Sequence, residues 1–185
     1  FRSTPLFRFA EKLVSLLPDN LNSVYFVNSG TEAVEVALKL AKRYTGRSRI
    51  VACHNSYHGS THGALNVMGN EEYKQSYRPL LPGIEFIRFN EPTDLQTITQ
   101  ETACVIIETV QGEAGIRVPD KAYMMALRER CTQTGTLLIV DEIQAALGRT
   151  GKFFAFEHFD IVPDILMMAK ALGGGMPVGA FISSN

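Results

Sequence analysis

Three polar clusters follow directly on apolar, strand-like runs, and each holds residue types that can do chemistry. Asn28-Ser29-Gly30-Thr31 follows Ser23–Val27 and opens a helical pattern. Asp141-Glu142-Ile143-Gln144 follows Leu137–Val140, and Lys170 follows Asp164–Ala169, with Gly173-Gly174-Gly175 just beyond it. The first cluster has two readings. Ser29 is an ordinary helix cap, or the free N–H groups and the positive end of the helix dipole cradle a phosphate, which Gly30 lets approach and the hydroxyls of Ser29 and Thr31 help to hold. It is neither a P-loop nor the Gly-x-Gly-x-x-Gly dinucleotide fingerprint. Asp141 caps the next turn, or it is a partly buried anion that needs a cation, because an unpaired buried charge is costly. Lys170 runs its stem along the surface to solvent, or it is an amine tuned by its setting to attack a carbonyl and form a Schiff base.

Taken together, the clusters point further than any one of them. A phosphate cradle, an anion and a reactive lysine at neighbouring strand ends suit a phosphorylated aldehyde with a protonated ring nitrogen. Pyridoxal 5′-phosphate (PLP) has all three features. Asp141 would keep its pyridine protonated, which makes the ring an electron sink, and Lys170 would hold its aldehyde.

Such a site needs elements to position it. Ser23–Val27, Arg49–Cys53, Ile84–Phe89, Ala103–Glu108, Leu137–Val140 and Asp164–Ala169 read as strands, with Val178–Ser183 as a seventh. Thr31–Tyr44 reads as a helix with Ala33, Ala37, Leu40 and Tyr44 on one stripe and Gly46 as its stop. A second helix starts after an Asp120 cap, buries Tyr123, Leu127 and Cys131, and ends at Gly135. Several strands are apolar throughout rather than alternating, as strands buried on both faces of a parallel sheet are. In such α/β sheets ligands bind beyond the carboxyl ends of the strands, where the three clusters lie.

Composition narrows the rest. At 185 residues, 45% hydrophobic and 20% charged, the chain fits one ordinary globular domain. A net charge of −1 argues against non-specific binding to nucleic acid or to an acidic membrane. No apolar run is long enough to span a bilayer, and no secretory signal pattern opens the chain. Cys53, Cys104 and Cys131 are odd in number and widely spaced, which predicts buried free thiols in a reducing compartment. No spacing of Cys or His suggests a metal site. The chain opens on Phe1 rather than Met, as a fragment or processed product would.

The segments Asn28-Ser-Gly-Thr-Glu-Ala33, Tyr57-His-Gly59, Glu108-Thr-Val-Gln-Gly-Glu113, Asp141-Glu-Ile-Gln144, Gly148-Arg-Thr-Gly151 and Ala169-Lys-Ala-Leu-Gly-Gly-Gly175 carry a resemblance. In this order, from about residue 24 to about residue 182, the chain resembles the large domain of a class III (ornithine, acetylornithine and ω-amino acid) aminotransferase of PLP fold type I. The resemblance implies a mostly parallel sheet of about seven strands with helices on both faces. It implies residues 1–20 as a helical lead-in and 21–185 as the PLP-binding domain. Lys170 matches the Schiff-base lysine, which also moves the proton, and Asp141 matches the partner of the pyridine nitrogen. Gln144 matches the residue near the 3-oxygen of the ring. Tyr57 and Ile143 match the groups on its two faces, and a flat ring gains dispersion and quadrupole contact from such stacking. Ser29, Gly30 and Thr31 match the phosphate loop. Glu113 matches a gate that in some relatives pairs with an arginine near the C-terminus.

The family also implies a cytoplasmic homodimer that moves an amino group from an ω-amino or acylornithine-type donor to a 2-oxo acid such as 2-oxoglutarate. Thr109 stands where many relatives have Pro, and Ala145-Ala146 where Thr/Ser-Gly is common. Ser60 stands where acylornithine enzymes have an Arg for the substrate carboxylate. Family chains are about twice as long, so a truncated chain is expected, lacking an N-terminal segment and the small domain. Two alternatives stay open: another PLP reaction on the same scaffold, such as an aminomutase or decarboxylase, and a non-catalytic fragment that binds PLP or only dimerises.

Overall fold

The computed structural model describes residues 3–185. Its strands are β1 (Ser23–Val27), β2 (Arg49–Cys53), β3 (Ile84–Ile87), β4 (Thr102–Glu108), β5 (Leu137–Asp141), β6 (Ile165–Met168) and β7 (Gly179–Ser183). Its helices are α1 (Thr4–Val14), α2 (Gly30–Thr45), α3 (His62–Asn66) and α4 (Lys121–Thr134), with short 3₁₀ turns between. The strands form one sheet in the order β1-β7-β6-β5-β4-β2-β3. Only β7 runs against its neighbours, so β1 to β6 all point their carboxyl ends the same way. This is the expected α/β architecture.

Alternate strand residues feed two cores. On one face Val105, Ile107, Leu138, Val140, Leu166 and Met168 pack with Leu13 of α1 and Tyr123, Met124 and Leu127 of α4. On the other, Ile50, Ala52, Ile106, Ile139 and Met167 pack with Ala33, Val34, Ala37, Leu38 and Ala41 of α2 and Ala64 of α3. With helices on both faces, β4 is buried over its whole length, which is why its sequence does not alternate.

The ends of α2 follow simple rules. Ser29 is the N-cap and its Oγ accepts from the Glu32 N–H at 3.3 Å, while Glu32 Oε2 accepts from the Asn28 N–H at 2.7 Å. Gly46 closes the helix at φ 69°, in the left-handed region that Gly adopts without steric cost. Tyr44 departs from the expected stripe: it lies in the last turn and is 77% exposed, and the buried face is set by Ala33, Val34, Ala37, Leu38 and Ala41. Asp120 stands at the N-cap of α4 but its side chain does not cap; it accepts instead from Asn90 Nδ2 at 3.1 Å. Strand β3 stops at Ile87, short of Phe89, because the Arg88 N–H turns to Asp94 Oδ2 at 2.8 Å. All three cysteines are free and buried, and burial pushes each thiol up to about 12, which leaves them unreactive.

Candidate active site

The carboxyl ends of β1, β2, β4, β5 and β6 surround a cavity of about 310 Å³. Ser29, Gly30 and Thr31 line it from the β1–α2 turn, and Tyr57 from the loop after β2. Asp141 lines it from the last position of β5, Ile143 and Gln144 from the turn that follows, and Lys170 from the turn after β6. Every residue singled out in the sequence for cofactor contact therefore borders one space. Glu113 is the exception: it joins the group at second hand, accepting from Gln144 Nε2 at 2.9 Å. A second cavity of about 370 Å³ abuts the first and shares Ile143, Gln144, Ala169 and Lys170 with it, so Lys170 is reached from two sides.

At one end lies the N-terminus of α2, whose first-turn N–H groups have no helical acceptor. Hydrogen counting shows what else this end can donate. Thr61 Oγ1 donates to Glu35 Oε1 at 2.5 Å, so the hydrogen between Thr31 Oγ1 and Thr61 Oγ1, 2.6 Å apart, comes from Thr31. The Thr61 N–H also donates into Thr31 Oγ1 at 3.3 Å. A hydroxyl has one hydrogen, so Thr31 has none left for an anion here. Ser29 Oγ accepts from Glu32 N–H and keeps its own hydrogen. Gly59, at φ 124°, lies so close that a Cβ there would stand 2.6 Å from Thr31 Oγ1.

At the other end Asp141 is 5% exposed. Its Oδ1 accepts from the Ile143 N–H at 3.0 Å and its Oδ2 lies 2.7 Å from His58 Nδ1. A carboxylate carries no hydrogen, so Nδ1 is the donor. His58 Nε2 is buried with no hydrogen-bond partner. Glu108 borders the cavity one strand over and accepts from the Tyr57 N–H at 3.2 Å. Burial pushes the Glu108 carboxyl up to about 7; the charge of Asp141 adds to the rise, while His58 opposes it. Glu142 points away into the core, accepting from the N–H groups of Ala155 and Phe156 at 2.8 and 2.6 Å, and burial raises it to about 7 as well. Gly30 lets the two ends meet, since a Cβ there would stand 2.7 Å from Ile143 Cδ1. Lys170 sits two residues past the end of β6, at φ 49°, a left-handed backbone that is uncommon for Lys and is held by the turn it opens.

His58, Glu108, Glu142, Thr61 and Glu35 were not named as site residues from the sequence. His58, Glu108 and Glu142 sit inside the segments that carry the resemblance, and for Glu108 a carboxylate closing an apolar strand was signal enough. Nothing in the sequence brings Thr61 to Thr31.

The model of the class-III aminotransferase family matches residues 1–185, the whole chain. The chain belongs to the class-III aminotransferases. It is 46% identical over 184 residues to an acetylornithine aminotransferase of Methanopyrus kandleri, covering 99% of this chain and 47% of that protein. It is 48% identical over 177 residues to a [LysW]-aminoadipate semialdehyde/glutamate semialdehyde transaminase of Sulfolobus acidocaldarius, covering 95% of this chain and 46% of that one. Among solved structures, a transaminase from the marine bacterium Virgibacillus superposes with a TM-score of 0.93 at 30% identity, covering 100% of this chain and 46% of its own. An ornithine aminotransferase from Toxoplasma gondii, in which PLP partially occupies the active site, superposes with a TM-score of 0.89 at 30% identity, over 99% of this chain and 45% of its own. This class-III chain thus spans about half the length of the curated relatives it matches. Among its described residues no helix is long and apolar enough to cross a membrane.

Proposed function

We propose that this chain is the PLP-binding domain, residues 21–185 with 1–20 as lead-in, of an aminotransferase that moves an amino group from an ω-amino or acylornithine-type donor to a 2-oxo acid such as 2-oxoglutarate. One observation carries the reading: an amine (Lys170), a buried carboxylate (Asp141) and a helix N-terminus (Ser29–Thr31) border a single cavity of about 310 Å³. The donor set fits PLP. The α2 N-terminus suits a dianionic phosphate. Asp141, already holding two N–H groups, has lone pairs to spare for a protonated ring nitrogen. Glycine at position 30 leaves Ile143 free to lie against a flat ring opposite Tyr57.

Bound PLP supplies an electrophilic carbon and an electron-withdrawing ring. The chain supplies the rest. The first-turn N–H groups of α2 and the Ser29 hydroxyl hold the phosphate. Asp141 keeps the ring nitrogen protonated, and His58 Nδ1 holds Asp141 Oδ2 in place. Tyr57 and Ile143 fix the plane of the ring, and Gln144 orients its 3-oxygen while Glu113 holds Gln144. Lys170 Nζ would be the amine that holds the aldehyde carbon until the donor amine replaces it, and then the base positioned to carry a proton between the donor carbon and the aldehyde carbon. The second cavity gives the donor a route to Lys170. The names of the relatives support an acylated diamino acid or an amino-acid semialdehyde as the substrate class, while Ser60 implies that this chain holds the substrate carboxylate with a residue other than the arginine usual there. A homodimer in the cytoplasm accords with the family and with three buried free thiols.

The test is the visible absorption spectrum of the protein with added PLP, before and after borohydride, beside Lys170→Ala. A yellow band that borohydride fixes as a covalent adduct on the Lys170 peptide, absent from the variant, is the expected result. No adduct on Lys170 in the wild-type protein would reject the reading.

A further inference from the structure

Neither Tyr57 nor His58 belongs to a helix or a strand, yet Tyr57 must present a ring as one wall of the cavity. Two contacts hold this dipeptide. The Tyr57 N–H donates to Glu108 Oε2 at 3.2 Å, and His58 Nδ1 donates to Asp141 Oδ2 at 2.7 Å. Glu108 and Asp141 are the last residues of β4 and β5 and face each other directly in the parallel register. Two consecutive loop residues thus meet two laterally adjacent carboxylates. Asp141 has a task in the reading above. Glu108 has none, although it is only 6% exposed and a buried carboxylate is costly unless something compensates it.

We propose that Glu108 is a positioning residue: with Asp141 it clamps Tyr57-His58 onto the ends of β4 and β5 and so fixes the Tyr57 ring against the cofactor slot. The inference rests on reading this cavity as the PLP site. The ring is braced from a second direction by Tyr73, edge-on at 6.0 Å between centroids and 85° between planes. Tyr73 meets only the edge of the ring, so without the Glu108 contact the Tyr57 backbone is free to turn and to carry the side chain with it. Either protonation state of Glu108 keeps an oxygen that can accept from the Tyr57 N–H, so the clamp needs the acceptor rather than the charge.

The experiment measures PLP affinity by absorbance titration, and the visible circular dichroism of the bound cofactor, for wild type, Glu108→Met, Glu108→Gln, Tyr57→Ala, Asp141→Ala and the double variant Tyr57→Ala/Glu108→Met. Methionine fills a similar volume without the acceptor; glutamine keeps one. Glu108→Met is expected to weaken PLP about tenfold and to change the dichroism, which reports ring orientation, while Glu108→Gln stays within about twofold of wild type. On the Tyr57→Ala background Glu108→Met should add less than about twofold. The proposal is overturned if Met has no effect, if Met and Gln weaken binding equally, or if the Met effect persists in full without the Tyr57 ring. If Tyr57→Ala and Asp141→Ala both leave PLP affinity unchanged, the cavity is not the PLP site and both readings fall. If Tyr57→Ala weakens binding while Glu108→Met does not, only the clamp falls. A check independent of any variant is hydrogen exchange of the Tyr57 amide in the wild-type protein, expected to be protected; exchange at the rate of an open loop would overturn the clamp.

Discussion

The two ends of the cavity are built on opposite plans. The helix end is local: Asn28 to Glu32 supply the cap, the free N–H groups and the dipole within five consecutive residues, and Glu32 closes the cap by accepting from the Asn28 N–H. The ring end is assembled from Tyr57, His58, Glu108, Asp141 and Lys170, which come from four separate stretches of chain. It buries carboxylates and leaves His58 Nε2 unpartnered, while the helix end relies on backbone dipoles that need no buried charge. A site built locally can recur wherever a capped helix starts. A site built across strand ends exists only if the whole sheet is in register.

If this contrast is right, substitutions at the ring end should cost more than those at the helix end, and should leave phosphate recognition alone. Asp141→Ala should have the largest effect. It leaves the wholly buried His58 Nδ1–H without its acceptor, and an unsatisfied buried donor costs about 1–3 kcal/mol of stability. PLP affinity should fall about a hundredfold or more, while inhibition of PLP binding by inorganic phosphate stays as in wild type; a parallel loss of phosphate binding would show the two ends to be one unit. Gly30→Ala probes one place where they touch. Its Cβ would push on Ile143 Cδ1 from 2.7 Å, driving Ile143 into the slot, so titration should show PLP affinity reduced about tenfold by overpacking of 1–3 kcal/mol, roughly. No change would mean that Ile143 yields freely.

Acidity separates the ends as well. Glu108 is raised from 4.5 to about 7 in the folded protein. Below pH 4.5 both folded and unfolded chains hold this proton. Between 4.5 and 7 only the folded chain does, so its contribution to stability falls as pH rises and is lost above 7. Urea unfolding should therefore show Glu108→Gln gaining on wild type from pH 5 to pH 8; a gain that is flat with pH would contradict the buried ionisation. Thr61→Val should have the smallest effect. It breaks the Thr31–Thr61–Glu35 chain and should cost about 1 kcal/mol in thermal unfolding. It also returns a hydrogen to Thr31, so PLP affinity should rise, by up to about threefold. A fall in affinity would mean that Thr61 positions Thr31 more than it competes for its hydrogen.

Much of this was legible before any coordinates. Apolar runs without alternation announced strands covered on both faces, because a residue that meets solvent on neither side has no reason to be polar. Ser29, Gly46 and Gly135 marked helix ends, because capping and left-handed closure depend on residue type and immediate neighbours. Lys170, Asp141 and the Ser29–Thr31 turn could be named because each lies at or just beyond the carboxyl end of an apolar run, and sheet polarity alone puts strand ends together. Tyr44 was misplaced because helical periodicity carries no information about where the covering sheet stops. The partners of the named residues were out of reach for the same kind of reason. That His58 faces Asp141, that Glu108 takes the Tyr57 N–H and that Thr61 absorbs the hydrogen of Thr31 are contacts between segments 30 to 83 residues apart. Sequence by itself determined which local devices exist and where along each strand they lie. Only the tertiary structure decided which of them meet, because register and loop path, summed over the whole sheet, set distances to the tenth of an ångström on which a hydrogen bond depends.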